Sequence, residues 1–376
     1  MTDRIREFLR HRRPEGPCLV VDTEVVRENF LAFAKALPDS RVFYAVKANP
    51  APEILKLLAE LGSSFDCASI QEIDMALAAG ATPDRISYGN TIKKERDIAA
   101  AHERGIRLFA VDAVEEVDKI ARAAPGARVF CRILCAGDGA EWPLSKKFGC
   151  DADVAIDVME HAHRQGLDAY GISFHVGSQQ PNTEAWDAAL KATAEVFRTL
   201  SDRGIQLRMV NLGGGFPAKY LKKVPLVKQY GRAISSALRK HFGNRIPETI
   251  IEPGRGMVGD AGVIKAEVVL ISKKSKDDDT RWVYLDIGKF GGLAETMDEA
   301  IRYPIRTRHD RGPKTPCVIA GPTCDSVDVL YEKVPYDLPV SLSIGDEVLI
   351  EGTGAYTTTY SAVAFNGFPP LQSYVI

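Results

Sequence analysis

From Val42 onward, short apolar runs alternate with stretches in which apolar residues recur at helical spacing. The runs are Val42–Val46, Phe65–Ala68, Ile86–Tyr88, Leu108–Val111, Val129–Leu134, Ala169–Phe174, Met209–Leu212 and Thr249–Ile251. Ala51–Leu61, Gln71–Gly80 and Ala185–Leu200 are among the helix-patterned stretches between them. Strands that alternate with helices build parallel βαβ units, because a parallel pair needs a crossover. Eight such strands are what a (β/α)8 barrel requires. An open doubly wound sheet is the alternative, but no GxGxxG motif follows the first strand. Past about Gly262 the pattern changes. Ile264–Ser272, Arg281–Asp286, Val318–Ala320, Val327–Tyr331 and Glu347–Glu351 read as strands with few helices between them. The fold class expected is therefore α/β: a TIM-like barrel over residues 23–261, with residues 1–22 and 262–376 forming an all-β domain. The early run at Cys18–Asp22 would join that second domain, and the charged stretch Lys273–Asp279 reads as a solvated hairpin loop.

Polar residues fall at the strand ends. Lys47, Asp66, Asn90, Asp112, Arg132, His175, Gly213–Gly215, Glu252 and Arg255 each lie at or just past the C-terminal end of a predicted barrel strand. Those ends converge on the mouth where barrel active sites are built. Lys47 follows the strand of VFYAVKANP. With its stem packed and its amine in a cavity, burial would lower its pKa and free a nucleophile for a Schiff base with a carbonyl cofactor; otherwise it is a snorkelling lysine. Gly213, Gly214 and Gly215 either cradle an anion with backbone N–H groups or make a tight turn. Arg255 offers a planar donor fork suited to phosphate, and Ser178 a hydroxyl. Glu252 either keeps a pyridine nitrogen protonated or pairs with Arg255, three residues away. His175 is either structural or a flat ring on which a cofactor can stack.

Charge and composition narrow the function classes. The chain has 376 residues, 45% of them hydrophobic, and a net charge of −2. That excludes a dedicated nucleic-acid binder, and no apolar run reaches membrane-spanning length. The N-terminal MTDRIREFLRHRR is Arg-rich, but Asp3, Glu7 and the lack of serine favour a short surface helix over a presequence. The seven cysteines, at 18, 67, 131, 135, 150, 317 and 324, lack a CxxC pair. They fit reduced thiols in a cytoplasmic protein rather than a disulfide frame or a zinc site. His161 and His163 are two apart on a predicted helix and make a poor metal site, so no metal is expected.

Taken together, VFYAVKANP, FDCAS, SFHVGSQ, NLGGGFP, IEPGR, GPTCDS and GAYTTTYSAVAFNGF resemble, in order and over essentially the whole chain, the pyridoxal-phosphate decarboxylases of the alanine-racemase-like fold. The resemblance is to the ornithine decarboxylase branch that includes bacterial lysine/ornithine decarboxylases. It implies pyridoxal 5'-phosphate (PLP) as cofactor, with Lys47 as its anchor, His175 stacked on its ring and Glu252 at its ring nitrogen. Ser178, Gly215, Arg255 and Tyr356 would hold the phosphate, with Gly213 and Gly214 shaping the loop. Asp66, Glu72 and Arg132 would be supporting contacts. Cys324 would protonate the substrate carbon, and Asp325, with Met297 and Asp298, would meet the distal amine. The resemblance further implies a homodimer whose subunits share active sites through the β domain, with Lys147 and Gly149 near that interface. L-ornithine is the expected substrate, giving putrescine and CO2, with L-lysine giving cadaverine alongside it. Diaminopimelate or another amino acid, racemisation on the same fold, and a non-catalytic regulatory relative are the competing readings. CDS rather than CES argues against diaminopimelate, glutamate rather than arginine at 252 argues against a racemase, and the intact lysine, cysteine and glycine loop argue against a regulator.

Overall fold

The computed structural model describes residues 1–135, 137–141, 146–277 and 279–376. After a first short strand, β1 (Cys18–Val21), the eight predicted runs become β2 (Ser40–Ala45), β3 (Ser64–Cys67), β4 (Ile86–Tyr88), β5 (Leu108–Val111), β6 (Arg128–Arg132), β7 (Asp168–Ser173), β8 (Met209–Asn211) and β9 (Glu248–Ile251). They are parallel, pair in chain order and close between β9 and β2. Crossover helices such as Pro52–Glu60, Ile70–Ala78, Ala185–Asp202 and Val227–Phe242 lie between them. Local chemistry fixes where these begin. Pro52 sits at the start of its helix, where a missing N–H costs nothing. Ser69 caps the next, its hydroxyl accepting the Glu72 N–H at 3.2 Å.

Phe43, Leu108, Ala110, Phe130, Tyr170, Met209 and Ile250, from six of the strands, form one buried cluster. Each large side chain removed from water contributes about 1.5–3 kcal/mol, so the barrel interior is a packed core rather than a pore. Polar chemistry is thereby confined to the rim.

The remaining strands are β10 (Gly262–Ser272), β11 (Arg281–Leu285), β12 (Ile305–Thr307), β13 (Lys314–Ala320), β14 (Val329–Pro339), β15 (Glu347–Glu351) and β16 (Gln372–Val375). Their sheet runs β12-β15-β10-β11-β13-β14, with β1 pairing antiparallel to β10 and parallel to β16. The N-terminal helix, Asp3–Arg12, buries Ile5 against Cys18, Val20 and Val263 and packs Phe8 and Leu9 alongside. β10 and β11 form an antiparallel hairpin with Ser272 opposite Trp282, so the Lys273–Asp279 stretch lies in its loop; Asp278 lies outside the described residues. β12 and β16 have no counterpart in the sequence reading, being three and four residues long and without an apolar run.

Two compact units result, one of Arg27–Pro217 with Val224–Met257, the other of Met1–Val26, Ala218–Lys223 and Val258–Ile376. The division falls a few residues from 22/23 and 261/262 and adds Ala218–Lys223 to the β unit. Lys219 N–H donates to Asp260 Oδ1 at 2.7 Å and the Tyr220 ring packs edge-on to Tyr303 at 5.4 Å, which explains that addition. Among the described residues no helix is long and apolar enough to cross a membrane.

Candidate active site

At the end of β2 the chain enters a single 3-10 turn, Val46–Ala48. The turn buries Val46 and Ala48 and leaves Lys47 exposed. This corrects the expectation of a lysine packed into the protein: the turn seats its neighbours in the core and leaves the lysine side chain exposed. The Lys47 charge is nonetheless felt by Asp66, Glu72, Glu252 and His175. Asp66, in β3, is buried, and burial raises its carboxyl above the usual range against the pull of Lys47, a hydrogen bond from Ser87 and the Arg132 charge. The Ser87 hydroxyl donates to Asp66 Oδ1 at 3.1 Å. Gly89 completes this wall, since a Cβ there would stand 1.8 Å from the same oxygen. Glu72 accepts the Ala68 N–H at 2.6 Å, which lowers its carboxyl, while burial, the larger influence, raises it.

Glu252 follows β9. Its Oε1 accepts a hydrogen bond from Asn211 Nδ2 at the end of β8. Burial, with Asp66 adding like charge, raises its carboxyl to about 7 despite Asn211, Lys47 and Arg132. Such a group is poised to ionise when a positive charge arrives. His175 follows β7, and its Nδ1 accepts the Gly177 N–H at 3.1 Å. A nitrogen that accepts carries no proton, so the ring is neutral; burial, Arg132 and Lys47 hold its pKa well below the ordinary value. Arg132, last in β6, lies over the Phe148 ring at 5.6 Å. Lys147 approaches the same ring at 4.9 Å, and Gly149 N–H donates to Asp112 Oδ2 at 2.8 Å.

The glycine loop is pressed against its neighbours. A Cβ on Gly213 (φ +66°) would lie 2.0 Å from the Phe174 carbonyl oxygen, on Gly214 2.8 Å from that of Glu252, and on Gly215 (φ +105°) 2.7 Å from that of Gly177. Only glycine leaves this backbone free to approach a ligand. Arg255 is 3% exposed and donates from Nε (3.3 Å) and Nη2 (3.2 Å) to the Ser178 hydroxyl oxygen. A buried guanidinium, a hydroxyl and a glycine backbone make an anion-binding set.

The other sequence-predicted residues belong to the β unit. Cys324 lies exposed in the loop between β13 and β14, its N–H donating to Asn366 Oδ1 at 2.8 Å. Asp325 Oδ1 accepts the Val327 N–H at 3.0 Å. Asp328 holds this loop and is 2% exposed. It accepts Lys289 N–H at 2.7 Å, Thr323 N–H at 3.2 Å and the Thr323 hydroxyl at 2.7 Å. Met297 is exposed, and Asp298, 83% exposed at φ +52°, pairs with Lys333 at 3.1 Å. Tyr356 (φ +55°) packs against Tyr360 at 5.9 Å. Asn211, Gly89 and Asp328 escaped the sequence reading. Asn211 had a signal in its place as a polar residue closing a strand beside the glycine loop, whereas the other two reveal themselves only through neighbours distant in sequence.

The family model for the pyridoxal-dependent decarboxylase pyridoxal binding domain matches residues 23–259. The chain is 37% identical to the lysine/ornithine decarboxylase of Selenomonas ruminantium, covering 95% of this chain and 88% of that one. It is also 34% identical to antizyme inhibitor 2 of Xenopus laevis, covering 92% and 77%. Among solved structures, the Selenomonas ruminantium lysine decarboxylase in complex with PLP and cadaverine matches with a TM-score of 0.88 at 34% identity, over 100% of this chain and 94% of that one. The arginine decarboxylase of Paramecium bursaria Chlorella virus matches with a TM-score of 0.90 at 28% identity, over 100% of both chains. With a closed parallel barrel, a separate sheet unit and a matched pyridoxal-binding domain, the chain belongs to the pyridoxal-dependent decarboxylases, and PLP is its cofactor.

Proposed function

We propose that the protein decarboxylates L-ornithine to putrescine and CO2, with L-lysine as a second substrate, in the cytoplasm. The observation that carries this reading is the Glu252 carboxylate, raised to about 7 and held by Asn211 on the same barrel rim as Lys47, Asp66 and His175. The barrel, residues 23–261, is the cofactor-binding domain in this reading. Its glycine loop is a cradle that any Cβ would fill, which fits a phosphate held by Gly213–Gly215, Ser178 and Arg255, with Tyr356 as a further donor.

When bound, PLP supplies an electron-withdrawing ring that accepts the electron pair left behind as the α-carboxylate departs. Lys47 would anchor the cofactor carbonyl through its amine. Glu252 would hold the proton on the ring nitrogen, and Asn211, donating to its Oε1, fixes the carboxylate that would do so. His175 would stack on the ring and, being neutral, would add no charge against that proton. Asp66, Glu72 and Arg132 set the potential around the ring. Cys324 would deliver a proton to the substrate carbon, an S–H being a donor. Asp325 and Asp298 meet the distal ammonium, and Met297 packs on the methylenes. Cys324, Met297 and Asp298 lie exposed in the single chain, which fits a homodimer in which a second copy covers them.

The test is product formation by cofactor-loaded protein offered ornithine, lysine, arginine and diaminopimelate together. Putrescine as the main product, with cadaverine as a minor one, is expected, because one methylene changes binding by only about 1–3 kcal/mol. Agmatine as the main product, or consumption of diaminopimelate ahead of ornithine, would overturn the substrate. No amine at all from a protein with bound cofactor would favour a regulatory role, the reading that likeness to antizyme inhibitor 2 keeps in view.

A further inference from the structure

Two thiols meet where β6 passes into the segment leading to the helix Ala152–Arg164. Cys131 is wholly buried in β6, and Cys150 is half-buried just before Asp151, the residue preceding that helix. Their Sγ atoms are 3.6 Å apart. The backbone holds Cys150 beside the end of β6: its N–H donates to the Arg132 carbonyl at 3.1 Å and Leu134 N–H donates to its carbonyl at 2.9 Å, a parallel bridge that pairs Cys150 with Ile133, two residues beyond Cys131. Both thiols face one acceptor, the Arg132 carbonyl oxygen, at 3.9 Å from Cys131 and 3.6 Å from Cys150. A disulfide needs an S–S length of about 2.05 Å. With the sulfurs at 3.6 Å, rotation about the two Cα–Cβ bonds is the movement that closes the remaining distance.

We propose that Cys131 and Cys150 form an oxidisable dithiol site that a hydroperoxide converts to a disulfide. Cys150 is the entry point, since it is half-buried and open to solvent, whereas the hydrogen bond with Cys150 and then burial push the Cys131 thiol well up. The Cys150 sulfur attacks one peroxide oxygen and the O–O bond breaks. This gives the sulfenic acid and, for hydrogen peroxide, one water. The Cys131 sulfur then attacks the Cys150 sulfur. The S–S bond forms, the S–O bond breaks, and the departing hydroxide takes the Cys131 proton as a second water. Two thiols are oxidised by two electrons, and one peroxide is reduced to two waters. The cross-link ties together the ends of the segment that carries Arg132, Phe148 and Gly149. Packing of two small apolar side chains is the competing account of the same contact.

The experiment treats the full-length, cofactor-loaded protein with hydrogen peroxide, blocks remaining thiols by alkylation and maps tryptic peptides. The expected product is Val129–Arg132 joined to Phe148–Arg164, two hydrogens lighter than the separate peptides and split by dithiothreitol. Its rate should not depend on protein concentration. Cys150 advancing to the sulfinic acid without the cross-link, or pairing with Cys135 instead, would overturn the proposal. Cys150→Ser, at the half-buried position, keeps the test open where Cys131→Ser does not fold. It should leave Cys131 alkylatable after treatment, and oxidation of Cys131 at an unchanged rate in that variant would count against the assignment. Every readout is a covalent mass, so it stands apart from the substrate question.

Discussion

Glu252 concentrates the argument at the scale of a single residue. Its carboxyl is raised from 4.5 to about 7, chiefly by burial. The folded chain therefore binds this proton more tightly than the unfolded one. The stability that the group contributes is complete below about pH 4.5 and is lost as pH rises through about 7. Without cofactor, Glu252→Gln should thus unfold at higher temperature than wild type at pH 8, with the gap closing toward pH 4.5. The size is on the order of 3 kcal/mol, as the carboxyl is raised by about 2.5 units worth about 1.4 each. With cofactor the sign reverses, because the site then needs the charge. Decarboxylation should fall by roughly 10²–10³-fold, the usual cost of one aligned electrostatic partner. A melting temperature that tracks wild type at both pH values would show that burial does not strain this carboxylate. At this scale the polar strand ends were legible, since a Lys, His or Glu that interrupts an apolar run is conspicuous. Lys47's exposure was not, because a 3-10 turn after the strand, rather than the strand itself, decides where its side chain points.

At the scale of elements, the barrel strands were readable because strands buried on both faces are near-continuous apolar runs. β12 and β16 were not, for they are recruited by pairing with β15 and β1 rather than by their own pattern. Contacts between elements were hidden for a related reason: Asn211 and Glu252 are 41 positions apart, and only barrel closure makes them neighbours. Asp328 is the clearest case in the β unit. Gly288 and Gly321 flank it so closely that a Cβ on either would stand 2.1 Å or 2.4 Å from its carboxylate. The carboxylate gathers donors from Lys289 and Thr323, and so fixes the backbone one residue before Cys324. Asp328→Asn turns an NH2 group toward one of those donors. It should cost about 1.5–3 kcal/mol by denaturant unfolding, the range for a hydrogen bond to a charged group. The bound-cofactor absorbance should persist while kcat falls, since the damage lies in the loop that bears the proposed proton donor. Unfolding unchanged from wild type would mean that the glycines, not the carboxylate, set the loop.

The whole molecule raises the question of how many chains make one site. On the β unit, Val327 is 57% exposed, Val363 81% and Phe368 43%, and Val327 and Cys324 share a loop. Apolar side chains this open, beside a thiol proposed to protonate a carbanion, call for a cover that keeps water from the reaction. A second copy that places its β unit over this chain's site provides one. Mixing inactive variants decides the matter. Lys47→Ala removes the cofactor anchor, and Cys324→Ala the proton donor, a loss of roughly 10²–10⁴-fold for a general acid. If sites are shared, a dimer of one variant chain with the other has one site built from two intact halves and one from both defects. Random exchange between equal amounts makes half the dimers mixed, so about a quarter of the wild-type sites return under twofold symmetry. If each site is contained within its own chain, every site keeps one defect, and mixing restores nothing although labelled subunits are seen to exchange. In that case Cys324 would have to reach Lys47 in its own chain, and the exposed apolar residues of the β unit would need another explanation.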